Sequence, residues 1–235
     1  MGLKICGDIM FKKLLTIIPI AVFFGSVQVQ AYNSVIAEVP MTKEATASMK
    51  QVATQQMSLN NRYGDQVVSN VFSDNILLNL AYMSGKVQNA GQINWDEVRK
   101  PSKHSFTLQP GEVFAFHDDV LPEYQGRVVK VSNAHFGAED GFLAVNNLYG
   151  NGVCHFASLI NWSARDAGLT VTAPTNHDFA MIPGIDPMYG TAIYSMFGTP
   201  EVNMQQNLYV ENTFDTPVKI VIENTGTALI VSVFK

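Results

Sequence analysis

The fold of this chain is decided by residues 150–168, which read GNGVCHFASLINWSARDAG. Two glycines at the start of this stretch precede Cys154, and Gly168 follows its last apolar position. Between them, apolar residues recur at helical spacing and form one face, made of Phe156, Leu159, Ile160, Ala164 and Ala167. Glycine just beyond the last turn commonly ends a helix. The pattern predicts a central helix that starts near Cys154.

Short strand-like segments flank this helix on both sides. Residues 105–150 contain alternating runs separated by turns, typical of strands joined by loops. Five further strands are predicted after the helix, at 169–172, 178–182, 208–210, 218–223 and 228–234. The last two are joined by Asn224-Thr225-Gly226, a turn that favours a C-terminal β-hairpin.

The region before residue 105 is predicted to be helical or polar. Residues 75–83 have helical spacing, with N-cap candidates at Ser73 and Asp74 and a stop at Gly85. Residues 45–60 indicate a polar helix or a loosely ordered arm. Because helices come mostly early and strands mostly late, the order favours an α+β fold in which the central helix packs on a mostly antiparallel sheet.

The N-terminal segment has the three parts of a secretory signal peptide. Lys12 and Lys13 precede an apolar run at 14–24, and a short polar stretch ends at Ala31. The run is shorter than a spanning helix requires. We therefore predict cleavage near Ala31, no membrane span afterwards, and export to the periplasm, the cell surface or the medium. The start codon remains open between Met1 and Met10. The predicted domains are a signal peptide at 1–31, a polar arm or helix at 32–74, and one folded domain at 75–235.

Charge and cysteine content narrow the functional classes. The net charge is −5, and removal of residues 1–31 leaves the chain more acidic still, which argues against a nucleic-acid partner. With 47% hydrophobic and 15% charged residues, the chain is globular. Of the two cysteines, Cys6 is lost with the signal peptide, so Cys154 is left as a single thiol in an oxidising compartment.

Five segments together resemble the VanW domain, named for an accessory protein of B-type vancomycin-resistance clusters. They occur in order from about residue 75 onward: Leu108 to Phe116, Gly150 to Cys154 with the helix ending at Leu169, His177, Ile182 to Asp186, and Asn207 to Thr213. The resemblance is to a divergent member, because His155 and Asp178 stand where the family usually has Gln and Ser. It implies a cell-envelope protein, with cell-wall polymer or peptide as the expected partner, and it implies no settled activity.

The residues also suggest a thiol site. A cysteine in the first turn of a helix, near unsatisfied N–H groups, is expected to have a lowered pKa. Cys154 as nucleophile, His177 as base and Asp186 as orienter occur in the chain order of transglutaminase-like and papain-like enzymes, a similarity of layout only. Gly152, Val153 and His155 are candidates for the pocket or the oxyanion hole. The alternative is a buried cysteine that only packs.

Other polar and aromatic groups have ordinary explanations. His117, Asp118, Asp119, His135, Glu139 and Asp140 are metal-ligand types without a known spacing, so we interpret them as loop acids and predict neither a metal nor a cofactor. Phe114, Phe116, Tyr149, Trp162, Tyr189 and Tyr194 could form a glycan-stacking wall or belong to the core.

Two functions of different classes remain open. One is an acyl-transfer or amide-cleaving thiol enzyme that acts on peptidoglycan peptide. The other is a non-catalytic module that binds or organises cell-wall polymer.

Overall fold

The computed structural model describes residues 49–235, and the predicted signal peptide lies outside them. Two four-stranded sheets and a central helix form the α+β fold expected from the sequence. The central helix, α3, contains Val153–Asp166. The α-helices and strands of the described residues are, in chain order, β1 Gln51–Ser58, α1 Gln66–Met83, α2 Trp95–Arg99, β2 Ser102–Leu108, β3 Val113–Ala115, β4 Val128–Lys130, β5 Ala144–Val145, β6 Leu148–Tyr149, α3, β7 Thr170–Thr172, α4 Pro200–Gln205, β8 Tyr209–Glu211, β9 Val218–Asn224 and β10 Ala228–Phe234.

The first sheet has the order β1-β10-β9-β2 and is antiparallel throughout. The second has the order β4-β3-β8-β7, in which only the β3–β4 pair is parallel. β5 and β6 pair as a separate two-stranded ribbon. The predicted C-terminal hairpin is confirmed as β9 and β10. Buried and partly exposed residues alternate along β10, whereas β9 buries Val221 in addition to its inward residues.

α3 packs on the first sheet through the face that its sequence predicts. Phe156, Leu159, Ile160 and Ala164 are all at most 1% exposed and belong to the main hydrophobic core. The Ser163 hydroxyl also donates to the carbonyl of Val231 in β10, at 3.2 Å. Burying four apolar side chains contributes several kcal/mol toward folding, which fixes the position of the helix start.

The structure corrects two predictions in the N-terminal region. Residues 51–58 form strand β1 rather than a polar helix or arm, because their backbone pairs with β10. Met57 is the one buried residue of this strand, so the apolar pattern of a buried strand is missing from its sequence. α1 begins at Gln66, earlier than predicted, and its N-cap is Asp65, whose carboxylate accepts from the N–H of Val68 at 3.0 Å. Asp74, proposed as a cap, lies inside this helix.

The predicted strand at 178–182 is also wrong. These residues form an irregular loop without a ladder partner, and Phe179 and Met181 in it are exposed. This loop and the segment at 190–199 extend beside the start of α3, where they enclose the candidate site.

Candidate functional site

The start of α3 requires glycine for two reasons. Gly152, the N-cap, has a φ of 98°, a conformation that other residues rarely adopt. A Cβ at this position would also lie 2.5 Å from the backbone oxygen of Phe72 in α1. Gly152 therefore lets the helix start approach α1 closely, and this contact sets where Val153 and Cys154 lie.

A cavity of about 900 Å³ opens beside this helix start. The structure places five of the predicted site residues in its lining: Gly152, Val153, Cys154, His155 and His177. Other segments complete the wall, namely 61–64, 135–139, 147–151, 179–181 and 192–197, together with Phe72, Pro183 and Gln206. Asp186 is not part of the lining.

The Cys154 thiol lacks the activation that its position at a helix start suggests. Although the residue keeps some exposed surface, burial raises the pKa of its thiol from 9.0 to about 11. The sulfur accepts from the N–H of Ile193 at 3.4 Å and lies 3.8 Å from the carbonyl oxygen of the same residue. Desolvation of the thiolate thus outweighs the backbone donors, and the thiol is neutral near pH 7.

His177 does not pair with this thiol. Its Nδ1–H donates to the carbonyl of Ala180 at 3.0 Å, and within residues 49–235 the hydrogen-bond partners of Cys154 Sγ both belong to Ile193. Burial lowers the pKa of His177. Cys154 and His177 therefore share a cavity without forming the hydrogen-bonded pair of a primed thiol enzyme.

Asp186 does not orient His177. Its carboxylate accepts from the N–H of Met188 at 2.9 Å and caps the short 3₁₀ turn Pro187–Tyr189. The carbonyl of Ala180 takes the position that an orienting carboxylate would occupy, since it fixes the Nδ1–H tautomer of His177. The three residues of the hypothetical triad thus form no hydrogen-bonded chain in this structure, although Cys154 and His177 line the same cavity.

His155 has a larger part in the site than its sequence position suggests. It is only 5% exposed, and its ring lies 5.0 Å from the Phe72 ring and 6.2 Å from the His177 ring. Its Nδ1 is buried and has no hydrogen-bond partner among the described residues. Burial, the positive charge of Arg62 and His177 together lower the pKa of His155 to about 3. His155 is therefore neutral near pH 7.

The sequence analysis missed Arg62. This residue is 1% exposed and lines the cavity, and it also borders a smaller neighbouring cavity of about 540 Å³. Its guanidinium donates to the Met57 sulfur at 2.8 Å and to the carbonyl of Pro183, while its Nε–H has no partner among the described residues. Burial lowers its pKa to about 10. An arginine in a polar, hydrophilic segment gave no sign of burial.

The predicted loop acids form local hydrogen bonds. His117, Asp118 and Asp119 place one potential ligand atom each within 4.8 Å of one another. However, His117 Nε2 contacts the carbonyl of Gln206 at 3.1 Å, and Asp119 accepts from Asn203 at 2.6 Å. These bonds engage one potential ligand atom each of His117 and Asp119.

The neighbouring predicted acid group has the same character, because Asp140 accepts from the N–H of His135 at 2.6 Å. Glu139, also part of this group, lines the cavity.

The six aromatic residues divide between core and cavity. Phe114 and Phe116 are fully buried in the main core, and Trp162 stacks on Tyr189 with ring centroids 5.5 Å apart. Tyr149 and Tyr194 line the cavity. Of the six, Tyr149 and Tyr194 are therefore the ones for which the glycan-stacking role stays a prediction.

Comparison with known proteins identifies a family and nothing more specific. The family model described as "VanW like protein" matches residues 101–234, more than half of the chain. No curated protein and no solved structure matches it. Arg62 and Phe72 lie before the matched region, so part of the cavity wall is contributed from outside it. Among residues 49–235, no helix is long and apolar enough to cross a membrane.

Proposed function

This chain belongs to the VanW family, and from that premise we propose that it is an exported, non-catalytic module of the cell envelope that binds cell-wall polymer or peptide. Its binding site is the cavity at the start of α3. The family supports the envelope context, and the N-terminal sequence supports export.

The observation that carries the binding role is the concentration of exposed apolar side chains at this cavity. Of the twelve large apolar residues exposed in the described part of the chain, seven line it. They are Tyr63, Leu148, Tyr149, Phe179, Met181, Met196 and Phe197. A contiguous exposed apolar surface around a cavity of this volume is typical of a ligand site.

The state of the thiol supports binding over catalysis. A nucleophilic cysteine needs a substantial thiolate fraction or an adjacent base, and Cys154 has a raised pKa and no hydrogen bond to His177. The residue fits the cavity wall as a small, neutral side chain.

Sedimentation with purified peptidoglycan tests this proposal. We expect the wild type to pellet with the polymer and Cys154→Ala to pellet equally well. Phe179→Ser and Tyr149→Ser should weaken the association, since each removes an apolar contact at the cavity mouth. Met188→Ser is the matched control, because Met188 is 65% exposed but does not line the cavity. Failure of the wild type to sediment overturns polymer binding.

A thiol acyl-transfer or amide-cleaving enzyme is the second candidate. One observation favours it: Cys154 and His177 line the same cavity, so a bound substrate could bring them into contact. Release of soluble fragments from peptidoglycan by the wild type, and not by Cys154→Ala, would support this candidate over the first.

A further inference from the structure

Within residues 49–235, Arg62 is a buried positive charge without a carboxylate partner. No salt bridge to it occurs within residues 49–235, and its two side-chain hydrogen bonds go to a thioether and a carbonyl, both uncharged. Removing a guanidinium from water without a counter-charge is unfavourable, so its retention here requires a reason. An anion that enters the cavity from solution would supply the missing counter-charge.

Arg62 is itself one of the residues that line the cavity. Its Nε–H is buried from water and has no hydrogen-bond partner within residues 49–235. A charge in such a place is screened less than one at the surface. His155 Nδ1 is a second buried polar atom without a partner in the described chain, and His155 is a lining residue close enough to sense the charge of Arg62.

The remainder of the lining is poor in competing charge. Among the lining residues, Glu139 is the one acid and Arg62 the one permanent cation, and no ion pair joins them. The Glu139 carboxylate instead lies over the backbone of Gly137. One unpaired cation matches a single negative charge better than the double charge of a phosphate monoester.

Part of the cavity wall consists of apolar side chains that are exposed to solvent. Phe179, Met181 and Phe197 are each at least 67% exposed, although they line the cavity. Covering exposed apolar side chains with a hydrocarbon removes them from water, which lowers the free energy of the complex. A ligand that satisfies both features has a hydrocarbon body and one charged end.

We propose that the cavity binds an amphipathic carboxylate, with the carboxylate beside Arg62 and His155 and the apolar body against Phe179, Met181 and Phe197. This inference rests on the proposed function only in that it uses the same cavity. It names the chemistry of the ligand that the cavity accepts, independently of any polymer.

Comparison of decanoate with decan-1-ol tests the inference on the full, unmodified chain. The two probes share a hydrocarbon chain and differ in the charged end. Calorimetric titration near neutral pH and below the micellar concentration should show saturable binding of decanoate, at least roughly tenfold tighter than that of decan-1-ol. Equal or tighter binding of the alcohol, or no saturable binding of decanoate, overturns the inference.

Variants at Arg62 localise the effect. Arg62→Met should weaken decanoate binding roughly tenfold or more and leave the alcohol unchanged, whereas Arg62→Lys should keep part of the preference. Arg127→Met is the matched control, because it removes the same charge from a residue that pairs with Glu211 away from the cavity. Circular dichroism checks that Arg62→Met folds. If it does not fold, the inference is still tested by the preference of the wild type for decanoate over decan-1-ol and by the partial loss of that preference in Arg62→Lys.

The two proposals fail separately. If the wild type does not sediment with peptidoglycan but clearly prefers decanoate to decan-1-ol, the proposal of polymer binding is overturned and the amphipathic ligand is supported. If the wild type sediments with peptidoglycan but shows no preference for decanoate, the amphipathic ligand is overturned and the binding module is supported.

Discussion

Alkylation of Cys154 by iodoacetamide should be slower in the folded protein than in the unfolded chain near neutral pH. The reactive species is the thiolate, and burial at the cavity wall raises the pKa of this thiol from 9.0 to about 11. The prediction is opposite to that for a primed nucleophile at a helix N-terminus.

The expected size of the effect follows from the pKa. A rise of two units lowers the thiolate fraction near pH 7 roughly 100-fold. A more basic thiolate is intrinsically more nucleophilic, and with a Brønsted coefficient of about 0.4–0.5 this recovers a factor of roughly ten. The folded protein should therefore react about tenfold more slowly, and the limited access to Cys154 slows it further.

The assay compares alkylation rates in buffer and in denaturant on a Cys6→Ser background, so that the remaining thiol is Cys154. With rising pH, the rate in denaturant should level off above about pH 9, whereas the rate in the folded protein should continue to increase toward about pH 11. A folded-state rate equal to or above that of the unfolded chain near pH 7 would falsify the reasoning and favour the thiol enzyme.

Three further predictions concern the elements that build the site. His155 has a folded-state pKa of about 3 against 6.5 in the unfolded chain, so the unfolded chain binds the proton first and stability falls as pH decreases through this window. Thermal unfolding of His155→Phe should retain about 2 kcal/mol more of its neutral-pH stability near pH 5 than the wild type; an unchanged acid slope contradicts this. Gly152→Ala should lower the free energy of unfolding, measured with urea, by about 3 kcal/mol or more. Gly184 also has a positive φ, but no atom lies within 4 Å of an added Cβ, so Gly184→Ala should lower it by about 1 kcal/mol. Similar losses for the two variants would show that the contact with α1 is unimportant. Arg99 forms two 2.8 Å bonds to Asp74, so a double-mutant cycle with Arg99→Met and Asp74→Asn should give a coupling of about 1 kcal/mol, and zero coupling would exclude a stabilising role.

The sequence predicts those parts of the fold in which the buried residues of an element recur regularly within its own short stretch of sequence. α3 and the β9–β10 hairpin each bury one face of a regular element, so apolar residues recur at the period of that element. β1 escapes prediction because it is an edge strand held by backbone bonds to β10. Polar side chains such as Gln51 and Gln56 can occupy it, since they remain exposed.

The same distinction holds for the candidate site. The glycines and Cys154 are found from the sequence because a helix start has a local signature. The burial of Arg62 depends on Met57 and Pro183, and Pro183 is distant in sequence. Nor does the spacing of Cys154 and His177 reveal that Ile193 and Ala180 take their hydrogen bonds.

Burial at one cavity explains the thiol and the arginine together. The same loss of water raises the pKa of Cys154 and lowers those of His155 and Arg62, so each group is shifted toward its neutral form. Cys154 and His155 are therefore neutral near pH 7, but Arg62 keeps its charge because its pKa of about 10 is still well above that pH. The cavity thus disfavours a thiolate and retains one cation. In the proposed complex, the ligand carboxylate would neutralise that cation, which has no ion-pair partner within residues 49–235.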